Sequence, residues 1–124
     1  GREFHISGTP AKGAKRFNIN IAEAKIPHND VPFHFDVRFS GNVTNKIVCN
    51  SWRNGSWGKE EILKESLDLA VGTHFEITIT VQKLSYVVKL NNVQVKVFHQ
   101  RTVPAEENNL LIIEGHVDNV KVKM

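Results

Sequence analysis

An all-β sandwich is the fold that this 124-residue chain predicts, and three features carry that expectation. Apolar and polar residues alternate with period two along most of the chain, the pattern of strands buried on one face. Gly8, Gly41, Gly55, Gly72 and Gly115 punctuate the runs at intervals suited to short antiparallel strands. Asn91-Asn92 separates two such runs as a two-residue hairpin turn, because asparagine tolerates positive φ.

The first clear strand places Phe17, Ile19 and Ile21 on one face, with Asn18, Asn20 and Ala22 on the other. The second, Val31 to Phe39, turns Val31, Phe33, Phe35, Val37 and Phe39 one way and His34, Asp36 and Arg38 the other. Ile47-Val48-Cys49 opens a third, in which Asn50 faces away from Ile47 and Cys49. Lys59 to Ala70 has the composition of a helix, but its apolar positions fit a helical stripe loosely and the β context prevails. Phe75, Ile77, Ile79 and Val81 then alternate with Glu76, Thr78, Thr80 and Gln82. Tyr86 to Leu90 and Val93 to Phe98 flank the Asn-Asn turn, and Leu110 to Ile113 and Val117 to Val122 complete the set.

Composition narrows the function. Apolar residues make up 40% and charged residues 23%, as in an ordinary soluble globular domain with a real core. No run approaches the ~20 apolar residues of a membrane-spanning helix. The net charge of +3 comes from 16 basic and 13 acidic residues scattered along the chain, without the clustering of a nucleic-acid surface. The chain opens Gly-Arg-Glu-Phe-His-Ile, with neither an initiator Met nor an apolar signal region, and so reads as processed or excised from something longer. Cys49 is the single cysteine, which excludes an intramolecular disulfide and suits a buried, inert thiol better than a nucleophile. His5, His28, His74, His99 and His116 lack metal-ligand spacing, so no metal and no cofactor is expected.

His34, Asp36 and Arg38 stand about 6 to 7 Å apart on an apolar backing, a comb of hydrogen-bonding groups. The competing reading is a solvated strand face that happens to carry a charge cluster. Trp57 lies in Asn54-Gly55-Ser56-Trp57-Gly58-Lys59-Glu60, a glycine-rich turn that is an odd place for a core tryptophan. An aromatic face beside His, Arg, Asn and Glu suits a sugar, whose C–H face stacks while its hydroxyls need planar donors and acceptors. A structural tryptophan capping one end of the sandwich is the alternative. Period two does not bring Trp57 and Glu60 to one face, so a bulge or turn at Gly58 is required.

His34-Phe35-Asp36-Val37-Arg38-Phe39, Ile47-Val48-Cys49-Asn50-Ser51 and Trp57-Gly58-Lys59-Glu60-Glu61 together resemble the galectin signature, His-x-Asn-Pro-Arg, then Asn, then Trp-Gly-x-Glu-x-Arg. The likeness extends through Ser7-Gly8-Thr9, Arg16 to Ile19, Val71 to Phe75 and Gly115 to Asp118, nearly the whole chain. The resemblance implies one galectin-type carbohydrate-recognition domain over residues 1–124, a jelly-roll-like sandwich of two antiparallel sheets that holds a β-galactoside on a concave face. It implies that His34 and Arg38 hold the axial galactose O4, Asn50 binds O6, Trp57 stacks on the ring and Glu60 accepts from O6 and the next sugar. It further implies glycan partners on glycoproteins or glycolipids, no nucleic acid and no membrane insertion, and no enzymatic activity. A cytoplasmic or leaderless extracellular location follows from the family as well.

Two positions depart from the pattern. Asp36 replaces the usual Asn, which keeps an acceptor but adds a charge that either draws Arg38 off the ligand or orients it. Ile62 replaces the final Arg, which deprives Glu60 of its cation, and Lys64 is the nearest substitute on the same strand face. The expected lectin therefore recognises galactose with altered or weakened affinity, especially for the second sugar. A galectin-like interaction protein that no longer binds galactosides is the runner-up. A glycoside hydrolase would need paired carboxylates; Glu60 and Glu61 point to opposite faces, which leaves only Asp36 with Glu60. Compared with the family, strands that precede Gly1 are missing, which fits one half of a tandem two-domain galectin or a truncated single-domain one, and leaves a homodimer possible.

Overall fold

Inward-facing aromatic rings set the architecture. The computed structural model describes residues 2–23, 30–63, 68–101 and 109–124. His28, Lys64 and part of the helix-like 59–70 stretch lie outside the described residues. Among the described residues eleven strands run in order: β1 (Arg2–Pro10), β2 (Arg16–Glu23), β3 (Val31–Ser40), β4 (Val43–Arg53), β5 (Ser56–Trp57), β6 (Glu61–Leu63), β7 (Phe75–Val81), β8 (Ser85–Leu90), β9 (Val93–His99), β10 (Asn109–Gly115) and β11 (Val117–Lys123). They form two antiparallel sheets. One has the order β11-β1-β7-β8-β9; the other runs β10-β2-β3-β4-β5, with β6 also on β4.

The alternation read from the sequence decides what each sheet buries. Phe17, Ile19 and Ile21 of β2, Phe33, Phe35 and Val37 of β3, and Ile47 and Cys49 of β4 face Phe4, Ile6, Phe75, Ile77, Ile79, Tyr86, Val88 and Phe98 of the opposite sheet. Phe33 stacks on Tyr86 with ring centroids 4.9 Å apart, and Phe17 stacks on Phe75 at 5.1 Å. Both contacts cross from one sheet to the other, so they set the sandwich spacing as well as burying area. Burial pushes the Cys49 thiol up to about 12, which makes it an unreactive core residue.

Turn chemistry closes the hairpins as the sequence requires. Asn91 and Asn92 adopt φ of 48° and 69°, the double left-handed geometry of a tight hairpin between β8 and β9. Of the helix-like stretch, the described part supplies β6 and an isolated bridge between Ala70 and Val43. Strand pairing with β4 outweighs the local propensity there.

Gly115 makes the passage from β10 to β11, and hence from one sheet to the other, at φ of 108°. A Cβ there would lie 2.7 Å from both Arg16 O and Phe17 Cα. Gly115→Ala is expected to cost about 1–3 kcal/mol from backbone strain alone, a thermal midpoint roughly 4–12 °C lower. Differential scanning calorimetry checks this; an unchanged midpoint would show that the corner relaxes freely.

Candidate functional site

Antiparallel register converts strand alternation into rows of side chains across the six-stranded sheet, because directly paired residues share a face. Asn20 of β2, His34 of β3 and Asn50 of β4 form one row. Asn18, Asp36, Val48 and Ile62 form the next, and Arg16, Arg38 and Lys46 the third. Trp52 pairs with Trp57 at the margin. A groove of about 350 Å³ opens over these rows, lined by Arg16, His34, Arg38, Val48, Asn50, Trp57, Gly58 and Glu60. The sequence-nominated His34, Arg38, Asn50, Trp57 and Glu60 therefore meet in one place. Gly58 ends β5 and begins the irregular stretch to Glu60, which supplies the turn that period two demanded. Lys64 lies outside the described residues.

Trp57 is half exposed, which excludes a core role, and its ring centroid lies 4.6 Å from that of His34. Trp52 meets it edge-on at 5.1 Å and steadies its outward pose. His34 itself is buried, so this strand face is not a solvated one. Asn20 Nδ2 donates to Asn18 Oδ1 at 2.7 Å and to Ile112 O at 3.3 Å, which turns Asn20 Oδ1 toward His34 Nδ1 at 2.5 Å. The ring proton then sits on Nδ1 and Nε2 is left as an acceptor. Burial lowers the His34 pKa; Asp36 opposes this, while Arg16 and Arg38 reinforce it.

Asp36 is the member that the structure places differently from a sugar-reading role. It is fully buried, below the groove rather than lining it. Its Oδ2 accepts from Arg38 Nε at 2.9 Å and pairs with Arg16 Nη2 at 3.2 Å. The open question about this charge is thereby answered in favour of orientation: Arg38 is tied at Nε and still lines the groove. Arg16 and Arg38 face each other across β2 and β3, an arrangement that would be repulsive without the carboxylate between them.

Asn50 is buried and fully tied on one side. Its Oδ1 accepts from Ser51 N at 2.8 Å and Arg101 Nη1 at 2.9 Å, and its Nδ2 donates to Gly58 O at 3.0 Å. One N–H is left over for a ligand. Glu60 is exposed beside Trp57 and pairs with no cation among the described residues, while Ile62 stands exposed on the same face as Val48. Glu61 points away, to Lys96 Nζ at 2.7 Å and Arg101 Nη2 at 3.0 Å. Burial raises its pKa, but the bonds from Lys96 and Arg101 outweigh that and leave it lowered.

Arg16, Asn20 and Arg101 are the residues that sequence reasoning missed. Alternation already put Asn20 on the polar face of β2, but the register that sets it against His34 is a tertiary fact. Arg101 follows β9 and reaches Asn50 from 51 positions away, with no local pattern to announce it. A second depression, on the outer face of the five-stranded sheet around His5, Glu76 and Lys121, has no Trp, Tyr or Phe in its lining.

A half-exposed tryptophan beside buried, pre-tied polar groups on a β-sandwich face is the kind of surface that a sugar requires. Comparison with known proteins specifies it further: the galactoside-binding lectin family matches residues 1–124, and the chain belongs to that family. It is 38% identical over 91 residues to galectin-6 of Mus musculus, covering 73% of this chain and 29% of that protein. It is 32% identical over 117 residues to the 32 kDa beta-galactoside-binding lectin of Haemonchus contortus, covering 93% of this chain and 39% of that one. The chain thus spans roughly a third of the length of these relatives. Its structure superimposes on the crystal structure of the Dario rerio galectin-1-L2 with a TM-score of 0.83 at 27% identity, over all of this chain and 91% of that one.

The lowered pKa of His34 has a signed consequence. Below the ordinary value of 6.5 the unfolded chain takes up a proton that folded His34 refuses, so stability falls as pH drops below 6.5 and is unaffected by this group above it. Urea unfolding at pH 7 and pH 5 should show a larger loss for the wild type than for His34→Gln. Equal losses would place the titration on other groups.

Proposed function

We propose that this domain binds β-galactosides through the groove on the six-stranded sheet and that it does so without catalysis. The observation that carries this reading is the exposed face of Trp57 set 4.6 Å from His34, above Arg38 and Asn50. The galactose C–H face stacks on the indole. An axial O4 donates to His34 Nε2 and accepts from Arg38, so one hydroxyl is read in both senses. The spare N–H of Asn50 and the carboxylate of Glu60 serve the exocyclic O6. Hydrolysis would require a second carboxylate at the sugar, and Asp36 is buried and bound to two guanidiniums.

Recognition of the second sugar is weakened in this reading, because Ile62 offers no donor where the family signature has Arg. One charged hydrogen bond is worth about 1.5–3 kcal/mol, or roughly 10- to 150-fold in affinity. The partners are galactose-terminated glycans on glycoproteins or glycolipids. A second galectin domain or a second copy of the chain would add avidity, in the cytoplasm or outside the cell.

Trp57→Ala should abolish retention on a lactose resin and leave the thermal midpoint nearly unchanged, since the ring buries little core. Galactose and lactose should compete for the wild type while glucose and mannose should not; equal competition by glucose would remove the O4 argument. Ile62→Arg should tighten lactose about tenfold or more and leave methyl β-galactoside unaffected by calorimetry. No gain for lactose would mean that another cation, Lys64 or Arg53, already serves the second sugar.

A further inference from the structure

Arg101 does not line the groove, yet it makes more polar contacts around the site than any residue that does. Its Nη1 donates to Asn50 Oδ1 at 2.9 Å and to Ser51 Oγ at 3.2 Å; its Nη2 donates to Lys59 O at 2.5 Å and to Glu61 Oε2 at 3.0 Å. The guanidinium lies over the Phe98 ring, 4.7 Å from its centroid. Glu61 is braced in turn by Lys96 of β9. Gly58 completes the cradle by leaving room: a Cβ there would lie 2.7 Å from Arg101 Nη1 and 3.3 Å from Asn50 Oδ1.

We infer that Arg101 is a positioning residue that fixes the Asn50 side-chain amide with its oxygen away from the groove, so that the site presents the sugar's exocyclic hydroxyl with a donor. An amide is ambivalent: rotated half a turn, Asn50 would offer an acceptor instead. In that rotated state Nδ2 would face the guanidinium and the Ser51 N–H, three donors together with no acceptor. Ser51 N–H and the Gly58 carbonyl already oppose the rotation through neutral hydrogen bonds; the charged, forked donor opposes it most strongly. The fork also ties Asn50 to Lys59 and Glu61, on either side of Glu60, so the two groups that face O6 are held in one frame. Lysine could satisfy one of these acceptors, not the set.

This inference deepens the lectin reading and rests on it for its affinity arm. Methyl β-galactoside and its 6-deoxy analogue, titrated calorimetrically, separate O6-dependent affinity from the rest. Arg101→Met keeps an apolar stem over Phe98, and Arg101→Lys keeps the charge. Arg101→Met should weaken methyl β-galactoside about tenfold, 1.4 kcal/mol, and the 6-deoxy analogue less than twofold, with Arg101→Lys between Met and wild type. A proportional loss for both ligands, or an unchanged ratio, would overturn the inference and leave Arg101 a structural brace. A sugar-free arm keeps the two readings apart. Hydrogen exchange of the Asn50 side-chain amide, followed by NMR in the unliganded protein, should be faster in Arg101→Met than in the wild type. Unchanged exchange overturns the role of Arg101 whatever the sugar data show. Failure of the wild type to bind either sugar overturns the lectin reading, while this exchange still decides Arg101.

Discussion

Phe33 stacked on Tyr86 is the contact on which the site depends, because it fixes which way β3 faces. The rings lie 4.9 Å apart with planes 10° from parallel, and Phe98 joins them at 5.0 Å from Phe33. A strand slipped by one residue would exchange its faces. With Phe33, Phe35 and Val37 committed to the core, His34 and Asp36 have no choice but the other side. The same cluster holds Arg101 on the face of Phe98. One aromatic contact between sheets thus sets both the Asn20–His34–Asn50 row and the cation that braces Asn50 from behind.

Electrostatics then divides labour among the charged groups. A buried carboxylate carries a desolvation cost of several kcal/mol unless it is paired, and Asp36 offsets part of that cost with two guanidiniums on Oδ2, while its buried Oδ1 accepts no hydrogen bond among the described residues. In exchange it relieves the repulsion between Arg16 and Arg38, which the β2–β3 register places side by side. The charge is therefore spent inside the sheet rather than at the ligand. Glu60 is the opposite case: exposed, unpaired among the described residues, and free to accept from hydroxyls. Glu61, one residue on, is paired in the same way with Lys96 and Arg101, although it is only partly buried.

The fold was legible because period-two alternation is a local property of the chain. Every run with Phe, Ile or Val on one face became a strand, and the Asn91-Asn92 turn took the backbone geometry that its residues favour. The lining of the candidate groove was legible to the same depth: His34, Arg38, Asn50, Trp57 and Glu60 could be nominated from facing, from the turn at Gly58 and from their chemistry. Asp36 could not be placed, since its role depends on Arg16, whose position opposite Arg38 is fixed by register rather than by sequence spacing. Asn20 and Arg101 escaped for the same reason. Residues that line the groove announce themselves by type, whereas residues that hold them are ordinary until the chain has folded.

That division also explains where this domain can differ from its relatives. His34, Asn20 and Asn50 form a row within a sheet whose backing is locked by stacked rings, so changing them disturbs register, burial and hydrogen bonding at once. Gly58, Glu60 and Ile62 lie on or beside the irregular stretch that carries β5 into β6. Ile62 is exposed at the end of the second row, so its departure alters one outward side chain and leaves the β4–β6 pairing in place, whereas Gly58 has no such freedom beside Arg101. Arg101 stands between these regimes. It is anchored to the core through Phe98, but it acts on the irregular stretch through Lys59 and Glu61. A centre held by the sheet, and a periphery held by one guanidinium, is an arrangement in which outward side chains such as Ile62 can change while the Asn20–His34–Asn50 row stays fixed.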